Sequence, residues 1–160
     1  MRHLLLIAGL LVATAASAAP DWDIYVNSRY GYSISYPVHL LKPLPESANG
    51  DGRAFAAKSG KAEFMVYAGG RVEGVDGTSE DIVKSEEEKC ANHRASYKDI
   101  KPRLAAMSCS TGNDIFYRKT LLQGGLNTTF RAAYPFQERS VWDPVVATMA
   151  RSMKPGRFLH

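Results

Sequence analysis

Cysteine and histidine are scarce in this 160-residue chain, with two of the first and four of the second. C-x-x-C and H-E-x-x-H are both absent, and His39, His93 and the terminal His160 stand apart, so no metal site is assigned. Basic clustering is missing as well. The net charge is +4, yet no three consecutive Lys or Arg occur, and the one charge run is acidic, Glu86-Glu87-Glu88. Nucleic-acid binding requires a one-signed patch, which interleaved charges do not make. The acidic run reads as a solvated helix face, because successive helix positions point about 100° apart and cannot pair in one cleft.

Phosphate and hydrolase signatures are also lacking. Neither G-x-x-x-x-G-K-[ST] nor G-x-G-x-x-G is present, and G-x-S-x-G is absent. The glycine-rich stretch 69–77 precedes a helix whose start carries Asp76, Glu80 and Asp81; these suit the helix dipole and would repel a phosphate. It reads as a connector. Ser47 to Gly52 looks like the start of a calcium loop, but its twelfth position is Lys58 where a bidentate Glu is required. Turn chemistry explains Asn-Gly-Asp-Gly better. No cofactor and no catalytic residue are assigned.

What is present is an export signal followed by an ordinary globular domain. Arg2 and His3 precede the apolar stretch Leu4–Ala15, and Ala16-Ser17-Ala18 is a small-residue cleavage site. Cutting after Ala18 leaves a domain over 19–160, with 19 Lys and Arg against 16 Asp and Glu. No later hydrophobic stretch approaches the ~20 residues of a membrane span, and no cysteine near the cut could take a lipid. The expected address is periplasmic or secreted. In an oxidising compartment Cys90 and Cys109 are most simply one disulfide. Two buried thiols, or a reactive Cys109 within Ser108-Cys109-Ser110, remain open alternatives.

The pattern predicts strands at 22–27 and 32–36, a Pro- and Gly-punctuated loop over 37–52, and a hairpin of 53–58 with 61–68 that sets Phe55 opposite Phe64. Thr78, with Asp81 three residues on, starts a first helix whose narrow apolar arc holds Ile82, Val83 and Cys90, with Glu86 among them. Strands follow at 96–100 and 104–110, then a hairpin of 115–123 with 126–134 around Gly124-Gly125. Asp143 and Pro144 predict the start of a second helix carrying Val145, Val146, Met149 and Met153 on one side, with Trp142 before them. Strands, helix, strands, helix, with hairpins throughout, argue an α+β domain on a mostly antiparallel sheet.

In the Gly124-Gly125 hairpin, paired positions sum to 249. Ile115, Tyr117, Leu121, Phe130, Ala132 and Tyr134 then share one face, with Lys119 and Thr128 among them. The other face directly opposes Arg118 and Arg131, which is destabilising unless compensated. The compensation is either a carboxylate of this chain or an anionic group of a partner, gripped by both guanidinium forks beside Thr120 and Thr129.

Asn27-Ser28-Arg29-Tyr30-Gly31-Tyr32-Ser33-Ile34-Ser35-Tyr36-Pro37, Asn49 to Arg53, Phe116 to Thr120, and Tyr134-Pro135 with Asp143-Pro144-Val145-Val146 give the chain a recognisable character. On these stretches it resembles small exported bacterial proteins of uncharacterised function that are related in fold to PsbP, the extrinsic protein of photosystem II. The resemblance implies an α-β-α sandwich with a twisted antiparallel sheet, and implies no activity. The expectation is a non-enzymatic binding or accessory protein meeting an unknown protein or envelope component through its sheet or loops, that partner being anionic on the second of the two readings of the opposed arginines. Its alternatives are a periplasmic hydrolase or thiol enzyme, and an immunity protein against a toxin delivered to the periplasm.

Overall fold

The computed structural model describes residues 21–158. The signal segment and its cleavage site, like His160, lie outside the described residues.

Among the described residues nine strands and two α-helices follow one another: β1 (Trp22–Val26), β2 (Ser33–Pro37), β3 (Leu41–Glu46), β4 (Gly52–Ala57), β5 (Glu63–Gly70), α1 (Ser79–Glu87), β6 (Tyr97–Lys101), β7 (Leu104–Thr111), β8 (Asp114–Gln123), β9 (Leu126–Pro135) and α2 (Arg139–Ser152). Seven strands form one antiparallel sheet in the order β3-β4-β5-β9-β8-β7-β6, while β1 and β2 pair separately. The expected registers hold: Phe55 faces Phe64, and Arg118 faces Arg131.

Alternation decides the layers. Phe64, Val66 and Ala68 of β5 join Thr128, Phe130, Ala132 and Tyr134 of β9 on one face. The β1–β2 hairpin and α2 cover it, bringing Tyr32, Ile34, Trp142 and Met149 into the main core. Phe64 meets Trp142 with ring centroids 5.1 Å apart. On the opposite face α1 packs over β6 and β7, closing a smaller core of Val83, Cys90, Ala105, Met107 and Cys109. The result is an α+β sandwich with one helix on each side of the sheet.

Three expectations need correction. The stretch 41–46 is a strand despite Pro43 and Pro45. It is the sheet's edge, where a missing N–H removes nothing from an inner ladder, and the register shifts between Pro43 and Glu46. The second helix begins at Arg139, so Pro144 lies inside it and Asp143 is no cap. The Trp142 indole donates to Glu138 (2.8 Å) and packs on Phe64, drawing the preceding turn into the helix. The N–H that Pro144 lacks would have served the Ser140 carbonyl, on an exposed residue that water can reach. Finally, α1 ends at Glu87, and Cys90 sits beyond it at the entrance to a short 3-10 turn, Ala91–His93.

Candidate functional site

The motifs that carry the resemblance hold the fold together. Asn27 is fully buried; its side-chain oxygen accepts from the Tyr30 amide (2.8 Å) and its amide nitrogen donates to the Tyr25 hydroxyl and the Gly50 carbonyl. Asp51 accepts from Ser47 and Asn49 (2.6 and 2.9 Å), closing the turn. These hydrogen bonds hold Asp51 below the usual carboxylate range, with the Ser47 hydroxyl the largest influence.

Cys90 and Cys109 are joined, with their Cα atoms 5.8 Å apart, and tie the end of α1 to β7. The bridge consumes the one thiol that could have served as a nucleophile.

Arg118 and Arg131 lie beneath α1, and the acidic run is not wholly solvated there. Glu86 is buried, and its carboxylate takes a hydrogen bond from the Arg118 guanidinium. Arg118 also donates to Thr120 (3.0 Å), whose hydroxyl meets that of Thr129 at 3.0 Å; the Arg131 guanidinium stacks on Phe116, 5.0 Å from its centroid. Burial raises the Glu86 carboxyl, but Lys89, Arg118 and Arg131 together outweigh it and hold the group below its ordinary value. Of the two compensations the sequence left open, a carboxylate of this chain occupies the position.

A sizeable concavity lies on the other face. The β1–β2 hairpin covers the β3–β5 end and α2 the middle, leaving the β6–β7 end bare. A groove of about 670 Å³ runs between that floor and α2, within the usual range for small-molecule sites. Its wall is one stripe of α2: Arg139, Asp143, Val146, Ala147, Ala150 and Arg151. The twelve steps of about 1.5 Å from Arg139 to Arg151 make the wall about 18 Å long. Its floor is the matching face of β6, β7 and β8, with Tyr97, Asp99, Leu104, Ser108, Tyr117 and Lys119.

Lys119 is the notable group. It occupies a core-facing register position, half-buried, and donates to the Ala150 carbonyl at 2.7 Å. Burial pushes the ammonium below its ordinary pKa, Lys101 adds to this, and Asp99 opposes it. Tyr117 beside it is raised, chiefly by burial and then by Tyr97 and Asp99. The groove's acids have partners: Asp99 pairs with Lys101 at 3.0 Å, and Asp143 accepts from the Tyr134 hydroxyl at 2.7 Å. Ser108 donates to the Phe116 carbonyl (3.0 Å), and no histidine lines the groove. Among the described residues no three His, Cys, Asp or Glu groups come together to hold a metal. What is assembled is a polar and aromatic surface, and no nucleophile–base hydrogen bond occurs among its described lining residues.

No protein-family model matches the chain, and no curated protein does. Among solved structures it is similar to the solution structure of cyanobacterial PsbP (CyanoP) from Synechocystis sp. PCC 6803. The TM-score is 0.61 at 12% identity, over 91% of this chain and 98% of that one. The chain has a PsbP-like fold. At that identity the likeness extends to the fold alone, so the PsbP-like frame explains where the helices sit and leaves the groove to be read from its own residues.

Proposed function

We propose that the chain is an exported, non-enzymatic binding or accessory protein of the bacterial envelope, and that the groove between α2 and the β6–β8 floor receives its ligand. The open, mixed polar and aromatic groove carries this reading. Compartment is argued from the sequence signal at residues 1–18 and from the disulfide, which suits an oxidising environment. Among the described residues no helix is long and apolar enough to cross a membrane. A thiol enzyme is disfavoured because both sulfurs are bridged. A partner anion at Arg118 and Arg131 would have to displace Glu86 from under α1, whereas the groove is already open to solvent.

Ala147→Trp tests the reading. Ala147 is exposed on the groove wall, so an indole there fills the cavity without entering the core. Fractions of a bacterial envelope extract are screened by thermal shift against the wild type and the variant. At least one fraction should stabilise the wild type and not the variant. Equal stabilisation of both proteins by every active fraction would refute the groove as the site.

A further inference from the structure

We infer that the groove binds a small amphipathic anion, its carboxylate or sulfonate head at Lys119 and its hydrocarbon or aromatic body along Leu104, Tyr117 and Ala147. This rests on the preceding reading of the groove and adds the ligand's chemical class.

The argument starts from an imbalance. Lys119 is the single charged side chain on its face of the β8–β9 hairpin, and it forms no ion pair among the described residues. An ammonium has three donors; one serves the Ala150 carbonyl, which leaves two for a guest. Arg139 and Arg151 mark the two ends of the α2 wall, and neither has a carboxylate partner among the described residues. Arg139 stacks on Phe136, 4.6 Å from its centroid, and Arg151 donates to the Thr148 hydroxyl. The groove's carboxylates, by contrast, are held by Lys101 and Tyr134. A guest therefore meets three cations that form no ion pair among the described residues, while Asp99 is paired with Lys101 and Asp143 is hydrogen-bonded by a neutral hydroxyl.

Shape supplies the second half. Ala147 and Ala150 are small, so α2 leaves a slot rather than filling it, and Leu104, Ile115 and Tyr117 offer half-buried apolar floor. A wholly polar ion would leave that floor wet, and a neutral hydrocarbon would leave Lys119 facing it unpaired, which is costly. An anion with an apolar body satisfies both parts.

Two fluorescent probes of similar shape and different charge make the test: anilinonaphthalenesulfonate, which is anionic, and neutral phenylnaphthylamine. Both are titrated into the mature protein, with a thermal melt of the same sample establishing the native state. The sulfonate should bind the wild type at least about tenfold more tightly, the scale of one charge-assisted hydrogen bond. Lys119→Met should erase that preference and leave the neutral probe within about twofold. Ala147→Trp should abolish both. Equal affinity of the wild type for the two probes, or an unchanged sulfonate affinity in Lys119→Met, overturns the anion assignment while the groove survives if Ala147→Trp still blocks binding. If Ala147→Trp leaves both probes bound as before, the groove reading falls and this inference with it. Should Lys119→Met not fold, the exposed double variant Arg139→Gln/Arg151→Gln decides. A loss of about threefold or more for the sulfonate alone supports the assignment, and no loss overturns it.

Discussion

Replacing Glu86 by Gln removes one charge and almost no volume, and the structure sets what that should cost. The Glu86 side chain is 4% exposed and Arg118 is 16% exposed, so the pair is poorly screened by solvent. Lys89 also reaches the carboxylate (3.1 Å) but is 62% exposed and adds little. Without the carboxylate, Arg118 is left opposite Arg131 beneath α1, two like charges in direct register. Breaking a buried pair by removing one partner costs about 3–5 kcal/mol. The low end applies here, because Arg118 keeps its bond to Thr120 and one Glu86 oxygen is already without a partner. About 3 kcal/mol, at about 3 °C per kcal/mol for a domain of this size, lowers Tm by about 9 °C. The pH dependence has a definite sign. The folded pKa lies below the ordinary glutamate value of about 4.3. The contribution is therefore complete above that value and is lost as pH falls through the folded one. Urea titrations at neutral pH and at about pH 3.5 should show a stability gap between wild type and Glu86→Gln that narrows in acid. A double-mutant cycle with Arg118→Met should give a coupling of about 1.5 kcal/mol or more. Additive single and double variants, or a Tm drop under about 2 °C, would refute the buried pair as the solution to the opposed arginines.

Three further outcomes are expected. Native protein should show no titratable thiol and yield two after reduction and unfolding, while Cys90→Ser/Cys109→Ser should lose about 3 kcal/mol for the loop closed by a sequence separation of 19; an unchanged Tm would argue against a stabilising bridge. Gly112 and Gly124 both have positive φ (+68° and +64°), but a Cβ at Gly112 meets nothing within 4 Å, whereas one at Gly124 comes within 2.8 Å of the Gly156 carbonyl oxygen. Gly112→Ala should cost about 1 kcal/mol and Gly124→Ala about twice that by urea denaturation, and equal costs would deny the tail's packing over the hairpin turn. Intact mass of the exported protein should give an N-terminus at Ala19, and retention of Met1 to Ala18 would remove the export reading.

Local rules made much of the fold legible. The two-residue turn at Gly124-Gly125 sets its hairpin register, and the β4–β5 register is centred on Ser59-Gly60 as expected although the strands stop at Ala57 and Glu63, because side-chain period leaves little freedom once one pair is known. Thr78 and Asp81 form the reciprocal capping box their spacing implied. The failures are tertiary in origin. Strand β3 carries two prolines that local preference reads as loop, and only its edge position makes them tolerable. The start of α2 differs from its sequence signal because Asp-Pro is a good local helix opening. The Asp143 carboxylate is instead taken by Tyr134, and Trp142, buried against Phe64, pulls the chain into helix a turn earlier.

The candidate site was hidden for a different reason: it is defined by what α2 does not cover. Its parts come from 96–99, 104–119 and 134–151, and none is unusual within its own segment. One signal did stand in the sequence. Lys119 fell on the face that also holds Phe130 and Tyr134, where a lysine is out of place unless its head reaches a partner or an opening. The opposed arginines were the louder anomaly, and a charge conflict has two remedies that look identical in sequence: a carboxylate within the chain or an anion outside it. Glu86 resolves that conflict because α1, packed over β6 and β7, brings its carboxylate within reach of Arg118 on β8, a fact of packing rather than of pattern. Lys119 has no such resolution. Ala150 gives it a carbonyl but no ion pair among the described residues, so a half-buried ammonium with donors to spare faces the groove. A search for the ligand should therefore begin with that one ammonium.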